Sequence, residues 1–301
     1  MSVTIGVPNV DETARYYQEF GLDQVAPGRF TTVDGGEQLV LEPATSRRLL
    51  RIGVGADTED DLGRIASQLR ALGLSATVTG GELHTVDPIS GVDVAVVVAP
   101  RLVVPAAPAP AYNGPGRNGR VDARAEGVLR TGPVRPRKLG HVVIGSPDKE
   151  ASQRFFTEGL GFKVSDNIVG VAAFMRCSTD HHNVLVQQAP MSFLHHTAWE
   201  VDDVDEVGRG ASAMLAGDPQ RHTWGLGRHH IGSNFFWYLK DPAGNFSEYY
   251  SDLDCVIDDA IWGADDFDGP KGLYSWGPPP PPSFLMPDDI AAAMAGAHSA
   301  R

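Results

Sequence analysis

The sequence predicts an α+β fold of four βαβββ modules paired into two domains, and three observations carry that prediction. Residues 139–188 read as a strand ("LGHVVIG"), a helix ("SPDKEASQRFFTEGL") and three short strands ending in "HHNVLVQQ". Residues 194–252 repeat that order, from "LHHTAWEV" through "DDVDEVGRGASAML" to a closing hairpin. A stretch rich in Pro, Gly, Ala and Arg without periodicity, residues 104–138, separates this half from a fainter copy of the same order.

In chain order, residues 1–103 are expected to form an N-terminal domain of two degenerate modules. Its "PNVDETARYYQEFGL" aligns with "PDKEASQRFFTEGLGF", and its "RIGVGADTEDDL" aligns with "HTAWEVDDVDEV". The acidic runs suit helix starts, where carboxylates meet the positive end of the helix dipole. "DPISGVDVAVV" from Asp87 mirrors "DPAGNFSEYY" from Asp241. After the linker, residues 139–254 form the second domain, whose last element is the hairpin "FFWYLKDPAGNFSEYYSD" with its turn at Asp241 to Asn245. Residues 255–301 carry "WGPPPPPSF" and then a short helix opened by Asp288-Asp289, expected to pack as an arm or lid.

Bulk properties narrow the ligand. A net charge of −13 argues against nucleic acid or an anionic membrane as partner, since phosphates are bound through surplus Lys and Arg. No apolar run approaches a membrane span and the first residues do not resemble a signal peptide, so a cytoplasmic protein with a small-molecule ligand is expected. The two cysteines, Cys177 and Cys255, form no metal-binding pair and are expected to be packed thiols.

Glu248 stands out in the hairpin. It shares a strand face with Phe246 and Tyr250, where an unpaired carboxylate costs several kcal/mol. Eight of the ten histidines fall between His141 and His230. His141 is on the first strand of module three, His196 on the first strand of module four, and Glu248 on the last strand of module four. In the N-terminal copies their counterparts are Ser2, Arg51 and about Ala95, so all three chemical groups vanish together. Two imidazoles and a carboxylate around one cavity are the donor set that non-haem Fe(II) uses with oxygen.

These residues carry a resemblance. "LGHVV", "HTAWEV" and above all "GRHHIGSNFFWYLKDPAGNFSEYY" resemble the type I extradiol catechol dioxygenases of the vicinal oxygen chelate (glyoxalase-like) superfamily, such as the 2,3-dihydroxybiphenyl, catechol and homoprotocatechuate 2,3-dioxygenases. The resemblance implies His141, His196 and Glu248 as ligands of Fe(II), with Mn(II) as a substitute. It implies His182, His229 and Tyr238 as catalytic residues, and Phe174, Trp224, His229 and Tyr238 as substrate contacts. The implied activity inserts both atoms of O2 into a catechol to give a muconic semialdehyde-type product, in a homo-oligomer of tetramer size or larger.

His182 is expected on the last strand of module three, alternating with Val184 and Val186. By the same alternation His181 and His195 should face away from the cavity and be structural. His222 and His230 read as loop residues. Trp224, in the loop "RHTWGLGRHH", stands where relatives acting on acidic catechols carry an arginine, which points to an apolar or aryl ring substituent; Arg228 is the residue that could reverse this. Val143 is expected near the metal. Two alternatives stay open: a non-catalytic protein that binds aromatic ligands, and another metalloenzyme of the superfamily.

Overall fold

The computed structural model describes residues 1–267 and 269–290. The first half runs β1 (Ser2–Val7), α1 (Val10–Glu19), β2 (Asp23–Ala26), β3 (Arg29–Thr31), β4 (Glu37–Pro43), then β5 (Arg48–Ala56), α2 (Glu59–Ala71), β6 (Thr77–Thr79), β7 (Glu82–Val86) and β8 (Asp93–Val98). A short α3 (Glu126–Leu129) follows within the linker. The second half runs β9 (Lys138–Ser146), α4 (Lys149–Arg154), β10 (Lys163–Ile168), β11 (Ala172–Arg176), β12 (Val184–Gln188), then β13 (Phe193–Glu200), α5 (Val204–Gly217), β14 (His222–Arg228), β15 (Phe235–Lys240) and β16 (Phe246–Ser251). Each half is two βαβββ modules, as the repeat predicts. Beyond them lie β17 (Asp265–Phe267) and α6 (Pro282–Leu285).

The helix starts are fixed locally. Thr58 and Asp61 form a reciprocal capping box on α2, while Asp148 and Asp203 accept backbone N–H groups at the starts of α4 and α5.

The strands form two sheets with matching topology. The first is eight-stranded in the order β2-β3-β4-β1-β5-β8-β7-β6; the second is nine-stranded, β14-β15-β16-β13-β9-β12-β11-β10-β17. In both, the first strands of two successive modules pair antiparallel at the centre, and each also pairs parallel with the last strand of its own module. The centre of each sheet is therefore where two modules meet.

One apolar core joins the two halves. Phe20, which caps the C-terminus of α1, stacks on Tyr249 of β16 at 3.8 Å and accepts that tyrosine's hydroxyl hydrogen bond at its carbonyl oxygen, 2.7 Å away. Tyr16 hydrogen-bonds Ser247 on the same strand. Ser247 and Tyr249 thus face the first half, and by strand alternation Phe246, Glu248 and Tyr250 face the inside of the second sheet. No helix among the described residues is long and apolar enough to cross a membrane. Cys177 and Cys255 are exposed rather than packed, which corrects the expectation for both.

Candidate metal centre

The centre is built by strand register. His141 on β9 lies opposite Ala198 on β13, and Ala198 lies beside Glu248 on β16. His196, two residues before Ala198, shares its face and meets the same carboxylate. His141, His196 and Glu248 are all buried, and one donor atom from each falls within 4.8 Å of the others. His141 Nε2 is 3.2 Å and His196 Nε2 3.4 Å from Glu248 Oε2. His196 Nε2 and Glu248 Oε2 are buried without a hydrogen-bond partner. Two imidazole nitrogens and one carboxylate oxygen converge, and His196 Nε2 and Glu248 Oε2 have no other partner; the set fits a divalent cation, which would relieve the cost of burying these atoms dry.

A glycine lets this happen. A Cβ at Gly140 would lie 1.8 Å from the Tyr250 hydroxyl. Without it Tyr250 packs beside the His141 ring, with centroids 5.3 Å apart.

The donors are held from outside. Asn234 Nδ2, fully buried, donates to Glu248 Oε1 at 3.1 Å. His195 Nδ1 is 2.8 Å from His196 Nδ1, and His195 Nε2 is 2.7 Å from the Phe284 carbonyl. The carbonyl can only accept, so His195 carries its proton on Nε2, takes one from His196 Nδ1, and leaves His196 Nε2 bare for a cation. Burial, then the neighbouring imidazoles, pushes His196 well below the ordinary histidine range, which favours the neutral, ligating form.

His195 therefore does not turn away as strand alternation predicts. A register shift between Leu194 and His196 in the β9–β13 pairing breaks the alternation there. His181 departs in the same way: its Nδ1 is 3.0 Å from His182 Nδ1. Both histidines precede β12, which starts at Val184, so the strand position expected for His182 is also corrected. Asn183 shapes that turn, accepting the backbone N–H groups of Cys177 and Ser178 and donating to the Gly140 carbonyl.

The other expected residues gather nearby. The His182 ring lies 4.2 Å from that of His141, with Phe174 edge-on at 5.2 Å. Burial first, then His141, His181, His229 and His196, lowers the His182 pKa well below its ordinary value. His229 Nδ1 donates to the Leu273 carbonyl at 2.6 Å, so its Nε2 accepts the Tyr238 hydroxyl at 2.8 Å. Burial, reinforced by Glu248, raises Tyr238 well above the ordinary phenol range. Val143, Ile168, Ala172, Phe174, Leu185 and Ile231 form an apolar cluster on the His182 side.

Trp224 lies on β14 rather than in a loop, because residues 222–228 pair with β15. It stacks behind Tyr238 at 5.6 Å, and its indole N–H donates to the Pro278 carbonyl at 2.7 Å. Arg228 is drawn away to Asp252 at 2.7 Å and over the Phe235 ring. His222 is likewise a strand residue and accepts the Trp237 indole N–H at 3.1 Å; His230 contacts Ser275.

The C-terminal segment closes this side. Leu273, Pro278 and Phe284 supply the carbonyls named above, and Arg47 makes a two-pronged ion pair with Asp289 at 2.6 and 2.8 Å. The helix expected from Asp288-Asp289 is described only as far as residue 290, and the rest of that expectation lies outside the described residues. Asn234, His195 and the Phe284 carbonyl are the site's supporting groups that sequence reasoning missed. The doubled His-His pairs were the available signal, and strand alternation concealed it.

Comparisons with known proteins agree with this geometry. Residues 138–249 match the Glyoxalase/Bleomycin resistance protein/Dioxygenase superfamily. Metapyrocatechase 2 of Cupriavidus necator is 41% identical over 155 residues, 50% of this chain and 48% of that protein. Biphenyl-2,3-diol 1,2-dioxygenase of Paraburkholderia xenovorans (strain LB400) is 31% identical over 120 residues, 37% of this chain and 40% of that one. The chain thus spans about half the length, or less, of these relatives. A Mn(II)-bound glyoxalase from Novosphingobium aromaticivorans superposes with a TM-score of 0.71 and 28% identity over 93% of this chain and 91% of its own. Residues 138–249, which carry the candidate metal centre, are thus similar to the glyoxalase/bleomycin resistance protein/dioxygenase superfamily, and the paired βαβββ modules have the vicinal oxygen chelate fold.

Proposed function

We propose that the protein is an extradiol ring-cleaving dioxygenase that inserts both atoms of O2 into an apolar or aryl-substituted catechol, giving a muconic semialdehyde-type product. The observation that carries the reading is the buried, converging His141, His196 and Glu248 set, in which His196 Nε2 and Glu248 Oε2 have no hydrogen-bond partner. In this reading residues 139–254 carry the chemistry and residues 1–103 serve as scaffold, within a cytoplasmic homo-oligomer.

His141 Nε2, His196 Nε2 and a Glu248 oxygen would hold Fe(II), or Mn(II) in its place. Such a cation, when bound, supplies adjacent open positions and the redox chemistry that couples a catecholate to dioxygen. The remaining work belongs to side chains. Tyr238 already gives its proton to His229 Nε2, so its oxygen is free to accept a catechol hydroxyl. A proton leaving that hydroxyl can pass to Tyr238 as the tyrosine's own moves to His229, with the Leu273 carbonyl holding the imidazolium. His182, on the opposite side beside His141, can take and return a proton at Nε2. The cluster from Val143 to Ile231 excludes water and suits an apolar ring. Arg228, tied to Asp252, is not offered to a substrate carboxylate.

The test is anaerobic loading with Fe(II), or separately Mn(II), followed by air and a panel of catechols. Yellow product with one O2 consumed per catechol is expected for alkyl- and aryl-catechols; failure with these and with catechol itself would sink the reading. One observation favours a second reading, that of another metalloenzyme of the superfamily: a solved structure that aligns along 93% of the chain at 28% identity is called a glyoxalase. Such an activity would consume no O2, so an oxygen electrode separates the two.

A further inference from the structure

We propose that Asp166 and His181 are positioning residues that lock His182 in its Nδ1–H tautomer and leave its Nε2 bare toward the metal centre. The catalytic consequence deepens the extradiol reading and rests on it; the tautomer itself does not.

The argument follows the protons. Asp166, on β10, is buried, and its Oδ1 accepts the Asp265 backbone N–H at 2.8 Å. Its Oδ2 lies 2.8 Å from His181 Nε2. An ionised carboxylate only accepts, so His181 must donate there. In the neutral form that the spectra at alkaline pH examine, an imidazole has a single N–H, so His181 Nδ1 is then a lone pair. His182 Nδ1, 3.0 Å away, has to be the donor across that contact. Its own single proton is thereby placed, and Nε2 is left as an acceptor. Among the described residues Nε2 makes no hydrogen bond.

The surroundings prevent the chain from reversing by a ring flip. His181 is fully buried, edge-on between Trp262 at 5.3 Å and Phe174 at 6.0 Å. Its carbonyl is held by the Ser165 hydroxyl, and the Trp262 indole N–H is held by the Ser165 carbonyl at 3.0 Å. The molecule uses the same device elsewhere, since His195 fixes His196 through the same pair of Nδ1 atoms. The terminal acceptor there is a backbone carbonyl. Here it is a carboxylate beside a cavity of about 270 Å³ lined by Asp166, Ile231, Gly232 and Trp262 among others. This makes Asp166 the one member of the chain that a substitution can change without touching the centre.

Long-range 1H–15N correlation spectra of the metal-free, histidine-labelled protein at alkaline pH read each tautomer directly. His181 is expected as Nε2–H and His182 as Nδ1–H. In Asp166→Asn the amide satisfies Asp265 N–H only by turning its NH2 toward His181 Nε2, which drives His182 toward Nε2–H. In the metal-loaded enzyme that variant should lose about 10–100-fold in kcat, the usual range for outer-shell partners, with KM and metal content little changed. His181→Asn, which keeps an acceptor oxygen near the position of Nδ1, should recover most of the rate that His181→Phe loses. A wild-type His182 found as Nε2–H overturns the proposal even if no variant folds. So does an Asp166→Asn protein with unchanged His182 tautomer and kcat. If the wild type cleaves no catechol at all, the extradiol reading fails, while the spectra still decide the tautomers.

Discussion

The two sheets share a register but differ in what occupies it. In the second sheet His141 lies opposite Ala198 and Ala198 beside Glu248; in the first, Ser2 lies opposite Gly53 and Gly53 beside Ala95. His196 pairs with Val143, and correspondingly Arg51 pairs with Thr4. Tyr238 faces Glu248 across its ladder, and His84 faces Ala95. The backbone therefore offers the same cradle twice. In the first sheet Arg51 is half-exposed and engaged with Asp93, so the position is met by an ordinary surface ion pair. In the second the equivalent positions are dry and incompletely satisfied, which is the condition of a binding site. The fold does not require the candidate metal centre; three side chains distinguish the half that carries it.

Converting the second sheet to the first at one position is the strongest way to test that comparison. Glu248→Ala, which installs the residue found at Ala95, should abolish bound metal on elemental analysis and lower catechol cleavage by about 100-fold or more. The metal-free variant should remain folded. It loses the bond from Asn234 but also an unpaired buried carboxylate oxygen, and these act in opposite directions, so urea unfolding should shift by no more than about 2 kcal/mol.

Tyr238→Phe is the next largest. It retains the ring that stacks against Trp224 but removes the hydroxyl that hydrogen-bonds His229. A loss of about 10–100-fold in kcat with metal content unchanged is expected, in line with a general acid–base contribution. Equal rates for the two proteins would reduce Tyr238 to packing against Trp224.

A smaller effect separates the halves by pH. Burial, as the leading cause, lowers His182, His195, His196 and His229, with His195 at about 4. A histidine whose folded pKa lies below its unfolded value binds fewer protons when folded, so its stabilising contribution is complete above about pH 6.5 and declines as pH falls toward 4. Asp241, pushed up by burial to about 6, acts the other way over the same window. Glu200, also raised by burial, acts with Asp241, and four groups outweigh two. Metal-free protein should therefore gain stability from pH 4 to 6.5 in chemical denaturation, and a flat or falling profile would contradict the buried, neutral histidine cluster. The smallest effect is expected from Arg228→Ala. Its guanidinium is held by Asp252, so rates with alkyl- and aryl-catechols should change by less than about twofold, in the range of a surface ion pair.

Much of this could be read from the chain. The repeat gave the module order, the turn at Asp241 to Asn245 gave the hairpin, and the loss of His141, His196 and Glu248 from the other copy marked one half as special. Alternation failed at two places for the same reason. It assumes an unbroken strand, and His181 precedes β12 while His195 sits at a register shift. Both outer histidines therefore turn toward their neighbours.

The sequence by itself determined the period of the modules and the identity of the donor atoms, because these follow from local patterning and side-chain chemistry. Tertiary structure decided which proton each imidazole carries. That choice depends on acceptors far away in the chain, the Phe284 carbonyl for His195, the Leu273 carbonyl for His229 and the Asp166 carboxylate for His181. It also turned Arg228 outward and put Trp224 behind Tyr238. A carbonyl supplied by the backbone leaves no trace in residue type, so only the folded chain reveals it.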